Sequence, residues 1–173
     1  MIEGNLQIVL VTNSYCEKCN EMINNITFPE LREVTGFVVL WRVQGLRSLS
    51  TLFPNLSVIR GRTLFENYAL VAYEMKSLQE IGLISLTHIL RGSVRFDKNP
   101  SLCFVDTIDW DWIAPNGASR HFLGDNRPKG ECVKCPIVDV DNVKCPVSKT
   151  GEPLCWNKEH CQKGDRSLIV KFF

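Results

Sequence analysis

Gly36-Phe37-Val38-Val39-Leu40-Trp41 and Gly92-Ser93-Val94-Arg95-Phe96-Asp97 are the two stretches on which the fold turns. In each, a glycine opens a short run whose second and fourth residues are apolar, as a strand with one buried face requires. Registering the chain on Gly4, Gly36, Gly61 and Gly92 extends the pattern, with spacings of 32, 25 and 31 residues. The second residue after each glycine is Leu6, Val38, Thr63 and Val94, and the fourth is Ile8, Leu40, Phe65 and Phe96. These columns read as the core-facing side of four parallel strands, stacked about 4.8 Å apart on one side of a right-handed β-solenoid. The alternate columns, Gln7, Val39, Leu64 and Arg95, then Val9, Trp41, Glu66 and Asp97, read as the outward side. Glycine ahead of each strand permits a tight corner.

Other phrases recur with the same logic. Phe28-Pro29-Glu30-Leu31 returns as Phe53-Pro54-Asn55-Leu56, 25 residues on. Leucine-rich phrases at Gly45–Leu49, Met75–Leu78 and Gly82–Leu86 read as the remaining walls. The outward face is more apolar than a solvated sheet. A loop or second module covers it, or these are scattered surface apolar residues without significance, or it is a partner-binding patch with an aromatic anchor and a charged rim. Tyr73 extends that patch, or is a core residue with its hydroxyl at the rim. After the last strand, Asp106–Ile113 reads as a short helix, capped by Asp106 or Thr107, with Ile108 and Trp112 on one face. Such a helix would close the open end, whose strand edge is otherwise free. Residues 114–130 read as a loop.

The chain has 173 residues, 20 basic against 19 acidic groups and an apolar fraction of 45%. That length suits one domain with a small appendage. A net charge of +1 excludes the broad basic footprint of a nucleic-acid binder. No run approaches the roughly 20 apolar residues of a membrane helix. Met1 is followed at once by a strand-like stretch, 2–12, without a signal-peptide pattern. The eight cysteines pull the other way, since five of them lie within 132–161 in a segment poor in apolar periodicity. That segment needs staples. Disulfides would put it outside the reducing cytosol. Zinc is the alternative, on Cys132-x-x-Cys135 and His160, but no second tight knuckle exists. Sequons at Asn25 and Asn55 suit an exported, glycosylated chain. His88, His121 and His160 are scattered, and no nucleophile has a base in a recognisable motif. No catalytic residue, cofactor or metal site is therefore expected.

Several phrases resemble the first receptor L domain of the insulin receptor family. They are Ile2-Glu-Gly-Asn-Leu-Gln-Ile8, Leu52-Phe-Pro-Asn-Leu-Ser-Val-Ile-Arg-Gly61, Asn67-Tyr-Ala-Leu-Val71, Arg91-Gly-Ser-Val-Arg95 and Thr107-Ile-Asp-Trp110. Cys155-Trp-Asn-Lys-Glu-His-Cys-Gln-Lys163 resembles the start of the furin-like cysteine-rich region that follows it. The epidermal growth factor receptor family is similar more distantly, through Gly92–Cys103 and Glu66-Asn67. The resemblance implies a mainly β fold, a right-handed β-helix followed by a small disulfide-rich module. It implies a receptor L domain at 1–113 lacking its N-terminal cap, a connecting loop at 114–131, the cysteine-rich start at 132–163 and a non-family tail at 164–173.

It also implies an extracellular module binding insulin-like peptides together with a receptor tail segment or other receptor domains. Such a module would be a fragment of a receptor tyrosine kinase ectodomain, without its kinase, or a secreted decoy. A structural or adhesive module that has lost the hormone is the alternative. The implied contacts are Gln7, Val9, Val39, Trp41, Leu64, Glu66, Asn67, Tyr68, Tyr73, Glu74, Arg95 and Asp97. Thr12 and Glu66 stand where insulin receptors carry aromatics, which argues for a divergent peptide. Family pairing would join Cys103 to Cys132, Cys135 to Cys155 and Cys145 to Cys161. Cys16 and Cys19 lie in a loop with no family cysteines; they pair with each other, or are free or intermolecular. Trp156 resembles the tryptophan that plugs the cysteine-rich module into the L domain.

Overall fold

A computed structural model describes residues 1–11 and 22–163. The residues around Thr12, Cys16 and Cys19, and the segment 164–173, lie outside those described. Among the described residues, seven strands run through the first hundred positions, and the chain deals them alternately to two sheets. β1 (Leu6–Val9), β3 (Val38–Trp41), β5 (Tyr68–Tyr73) and β7 (Ser93–Asp97) form a parallel sheet in that order. β2 (Glu33–Val34), β4 (Val58–Ile59) and β6 (His88–Ile89) form a second parallel sheet. Each return to the first sheet therefore lays the new strand beside the previous one with equivalent residues in register.

Register explains the core. Leu6, Val38, Leu70 and Val94 pair in one column, and Ile8, Leu40, Ala72 and Phe96 in the next. All eight pack into or against a single apolar cluster. The short strands of the second sheet add Val34, Ile59 and Ile89, each fully buried. Leu46, Leu49, Leu78, Leu83 and Leu86, from the recurring leucine phrases, fill the same cluster. Leu49 lies on α1 (Leu49–Leu52), whose start is capped by the Ser48 hydroxyl accepting from the Ser50 amide.

The glycine register holds at Gly4, Gly36 and Gly92 and fails as a strand marker at Gly61. The Gly61 amide does bond to the Gly36 carbonyl, as the Gly36 amide bonds to Gly4. The corner thus stacks as expected. The strand that follows, however, begins at Tyr68, not Thr63. An extra turn occupies the gap, closed by a Phe65–Tyr68 bridge and a left-handed Glu66 (φ 56°). Leu70 and Ala72, rather than Thr63 and Phe65, face the core at this level.

The four strands end alike. Leu10, Arg42, Glu74 and Lys98, one after each strand, all have φ between 52° and 58°. A left-handed non-glycine residue costs about 1 kcal/mol, and here it turns the chain while preserving hydrogen bonds. The amides of Leu10, Arg42 and Glu74 donate to the carbonyls of Trp41, Tyr73 and Asp97. Deeper in the same corner, fully buried Asn99 accepts from the Met75 amide (2.9 Å) and donates to the Ala72 carbonyl (3.0 Å).

The end of the sheet differs from expectation in two ways. α2 (Trp110–Ile113) is capped by Asp109, whose carboxylate accepts from the Trp112 amide. Thr107 instead bonds the Phe104 and Cys155 carbonyls. Ile108 is buried, but Trp112 is exposed; it is Trp110 that enters the core. Nor does the helix cover the edge of β7. Residues of the 114–130 segment do so, with Phe122 bridged in parallel to Arg95.

Beyond residue 130, three disulfides join Cys103 to Cys132, Cys135 to Cys155 and Cys145 to Cys161. These six sulfurs are thereby committed to each other and not to zinc. Trp156 is 1% exposed and belongs to the main core. Its ring meets Trp110 edge-on, 5.7 Å between centroids. Buried Gln162 accepts from the Asp109 amide (2.7 Å) and donates to the Asp109 carbonyl (3.2 Å), imitating a strand pairing.

Candidate functional site

The outward columns of the four-strand sheet follow from the same register. They are Gln7, Val39, Val71 and Arg95, then Val9, Trp41, Tyr73 and Asp97. Phe37, Val39 and Val71 form a second apolar cluster, separate from the core, against which Trp41, Tyr68 and Tyr73 pack. A shallow depression of about 310 Å³ opens on this face, lined by Gln7, Val9, Val39, Trp41, Phe65, Val71, Tyr73 and Arg95. The face is thus an aromatic and aliphatic floor on a rigid parallel sheet. Hydrophobic association surfaces have this form, with a central anchor and a polar margin.

Arg95 is the charged element of the floor. Its guanidinium lies 5.8, 5.4 and 5.3 Å from the ring centres of Tyr68, Tyr73 and Phe122. It donates to the Asp97 carboxylate (2.9 Å), with Glu66 at 3.7 Å. The Asp97 hydrogen bond raises the guanidinium above its ordinary pKa, against a smaller opposing effect of burial. Cation–π contact on three sides and a buried carboxylate fix a side chain that is otherwise long and mobile. At the strand ends, Arg42 is paired with Glu74 and stacks on the Trp41 ring at 5.2 Å. That hydrogen bond holds the Glu74 carboxyl below the usual range, with the Trp41 indole a lesser contributor. The indole N–H itself is buried and makes no hydrogen bond of ordinary geometry among the described residues. Lys98 donates to the Tyr73 hydroxyl (2.9 Å), so Tyr73 lies on the face with its hydroxyl at the margin.

Of the expected contacts, the sheet brings together Gln7, Val9, Val39, Trp41, Tyr68, Tyr73, Arg95 and Asp97, with Glu74 at the margin. Leu64 is not among them. It packs against the main core, because the turn after Gly61 reverses its direction. Glu66 and Asn67 lie exposed on that turn. Three face residues were not foreseen. Phe65, expected in the core, is 42% exposed and meets Phe37 edge-on. Phe37 precedes β3 with the parity of Val39. Val71 became visible only with the true start of β5, although the alternation Leu70-Val71-Ala72-Tyr73 carries the signal. Among the described residues there is no group of three or more His, Cys, Asp or Glu placed to hold a metal ion. Nor is any helix among them long and apolar enough to cross a membrane.

A model of the receptor L domain family matches residues 1–114. The chain is 51% identical, over 94% of its length, to the insulin-like peptide receptor of Branchiostoma lanceolatum. It is 46% identical over 99% to the insulin-like growth factor 1 receptor of Xenopus laevis, and 43% identical over 94% to the insulin receptor of the same animal. It spans only 11 to 12% of the length of these relatives. The chain belongs to the receptor L domain family, and within it to the insulin receptor family. What matches is a receptor L domain, not a kinase domain.

Proposed function

We propose that the four-strand face binds an insulin-like peptide hormone outside the cell, within an insulin-like receptor ectodomain or as a secreted decoy. The observation that carries this reading is the second apolar cluster, Phe37, Val39 and Val71 with Trp41, Tyr68 and Tyr73, on the side of the sheet away from the core. A monomeric domain has no folding reason to build such a floor. The names of the relatives, each a receptor for insulin or an insulin-like peptide, support the ligand class. A receptor tail segment or another receptor domain would share the floor.

The alternation of two parallel sheets supports successive turns of a right-handed β-helix over 1–113. A connecting segment at 114–131 and a furin-like cysteine-rich start at 132–163 complete the proposed organisation, with 164–173 outside the family pattern. Asn25 is exposed and suits a glycan; Asn55 is half-buried, and its amide already donates to the Pro29 carbonyl. Titration of the oxidised chain with fluorescently labelled insulin-like growth factor 1 and insulin tests the reading. Saturable binding that weakens at least about tenfold in Trp41→Ala is expected; no saturable binding of either peptide would overturn it. Exposed Glu66, where insulin receptors carry an aromatic, favours a second reading, an adhesive module. Self-association or surface binding indifferent to Trp41→Ala and Arg95→Ala would establish that one instead.

A further inference from the structure

We infer that residues 121–124 are an acid-sensitive latch on the outward face, with His121 as the positioning residue that holds it closed. Without this segment β7 would be the free edge of the sheet. Its backbone bonds to β7 are regular: Phe122 amide to Val94 carbonyl (3.0 Å), Phe96 amide to Phe122 carbonyl (2.8 Å), and Lys98 amide to Gly124 carbonyl (3.2 Å). The first link is different in kind. The Val94 amide donates to Nδ1 of His121 (3.1 Å). A backbone N–H only donates, so Nδ1 must carry a lone pair. The ring is therefore neutral, with its proton on Nε2; that atom is buried and makes no hydrogen bond of ordinary geometry among the described residues, Asp111 Oδ1 standing 3.3 Å away.

Protonation would set two donors against each other at Nδ1. The ring must then turn away from β7, leaving the Val94 amide unpaired and the segment without its first link. Phe122 travels with that segment, and its ring is one of the three enclosing Arg95. Opening the latch thus loosens the charged element of the face. Of the groups facing His121, Asp111, the Trp110 carbonyl and Asp109 favour the imidazolium, whereas Arg120 opposes it. Burial opposes it most, holding the ring below its ordinary pKa. The latch is closed at neutral pH and opens in acid.

The coupling to hormone rests on the reading of the face given above; the latch itself does not. His121→Asn places a carboxamide oxygen near the Nδ1 position, an acceptor that does not titrate, and His121→Ala removes the acceptor. Amide hydrogen exchange at Phe96 and Phe122, corrected for intrinsic rates, is compared at about pH 7.5 and about pH 5. Protection in the unmodified chain should fall about tenfold in acid, the scale of one buried donor left unpaired. It should not fall in His121→Asn, and should be low at both pH values in His121→Ala. An equal fall in His121→Asn, or no fall in the unmodified chain, overturns the latch. Labelled insulin-like growth factor 1 then reads the coupling: binding should weaken about tenfold in acid, and less so in His121→Asn. Equal weakening in both overturns the coupling. An intact latch with no peptide binding at either pH overturns the hormone reading alone.

Discussion

Neighbouring residues Leu64 and Phe65 illustrate how one turn decides a side chain's task. Leu64 packs against the core and Phe65 lines the outward depression. Phe65→Ala should weaken binding of an insulin-like peptide by about 2 kcal/mol with little change in unfolding midpoint. Leu64→Ala should do the reverse, lowering stability by at least about 1 kcal/mol while sparing affinity. Calorimetric titration and urea unfolding of the two variants separate these outcomes. Asn99 works entirely in the interior. Its amide satisfies the Met75 N–H and the Ala72 carbonyl, and also donates to Asn126 Oδ1. Asn99→Ala strands those partners where water does not reach and should cost about 2 to 3 kcal/mol in urea unfolding. Neither the role of Asn99 nor that of Phe65 was legible in the chain. Both depend on which residue stands opposite one level away, which pattern alone does not state.

At the level of elements, the glycine corners and the strands they precede obey separate rules. Gly61 stacks under Gly36 and presses against the next corner: a Cβ there would lie 2.1 Å from the Arg91 carbonyl oxygen, at a φ of 65°. Gly61→Ala should therefore destabilise by about 2 kcal/mol or more in thermal unfolding, although residue 61 touches no part of the outward face. Strands β1, β3 and β7 were legible because each begins two residues after its glycine or within one of that. β5 was not, because Thr63-Leu64-Phe65 alternates as acceptably as Leu70-Val71-Ala72. What separates them is the β-propensity of the run from Tyr68 to Tyr73 and the left-handed break at Glu66. The segment covering β7 carries no strand signal for a similar reason: only one or two of its residues pair, and a pairing that short leaves no period.

For the whole molecule, charge links stability to pH in a fixed direction. The Glu33 carboxyl, hydrogen-bonded to Arg60, and the Glu74 carboxyl, hydrogen-bonded to Arg42, are both held below their ordinary pKa, and the half-buried His121 ring is held below its own by desolvation. In all three the unfolded chain binds protons first, so stability rises with pH through each window. Urea midpoints should hold above about pH 6.5, decline as pH falls below it with His121, and decline again below about pH 4.5 with the carboxylates. His121→Asn should remove only the upper decline. The cysteine-rich segment contributes a different kind of cohesion, through its bridges and through Trp156 in the core of the L domain. The Trp110 and Trp156 rings lie 5.7 Å apart at 85°. Two indole transitions at that separation, and neither parallel nor stacked, couple into an exciton pair. The protein should thus carry its own optical signature, a bisignate band in the far-ultraviolet circular dichroism. That couplet reports whether the stapled segment is seated, needs no label, and should vanish on reduction before the sheets themselves melt.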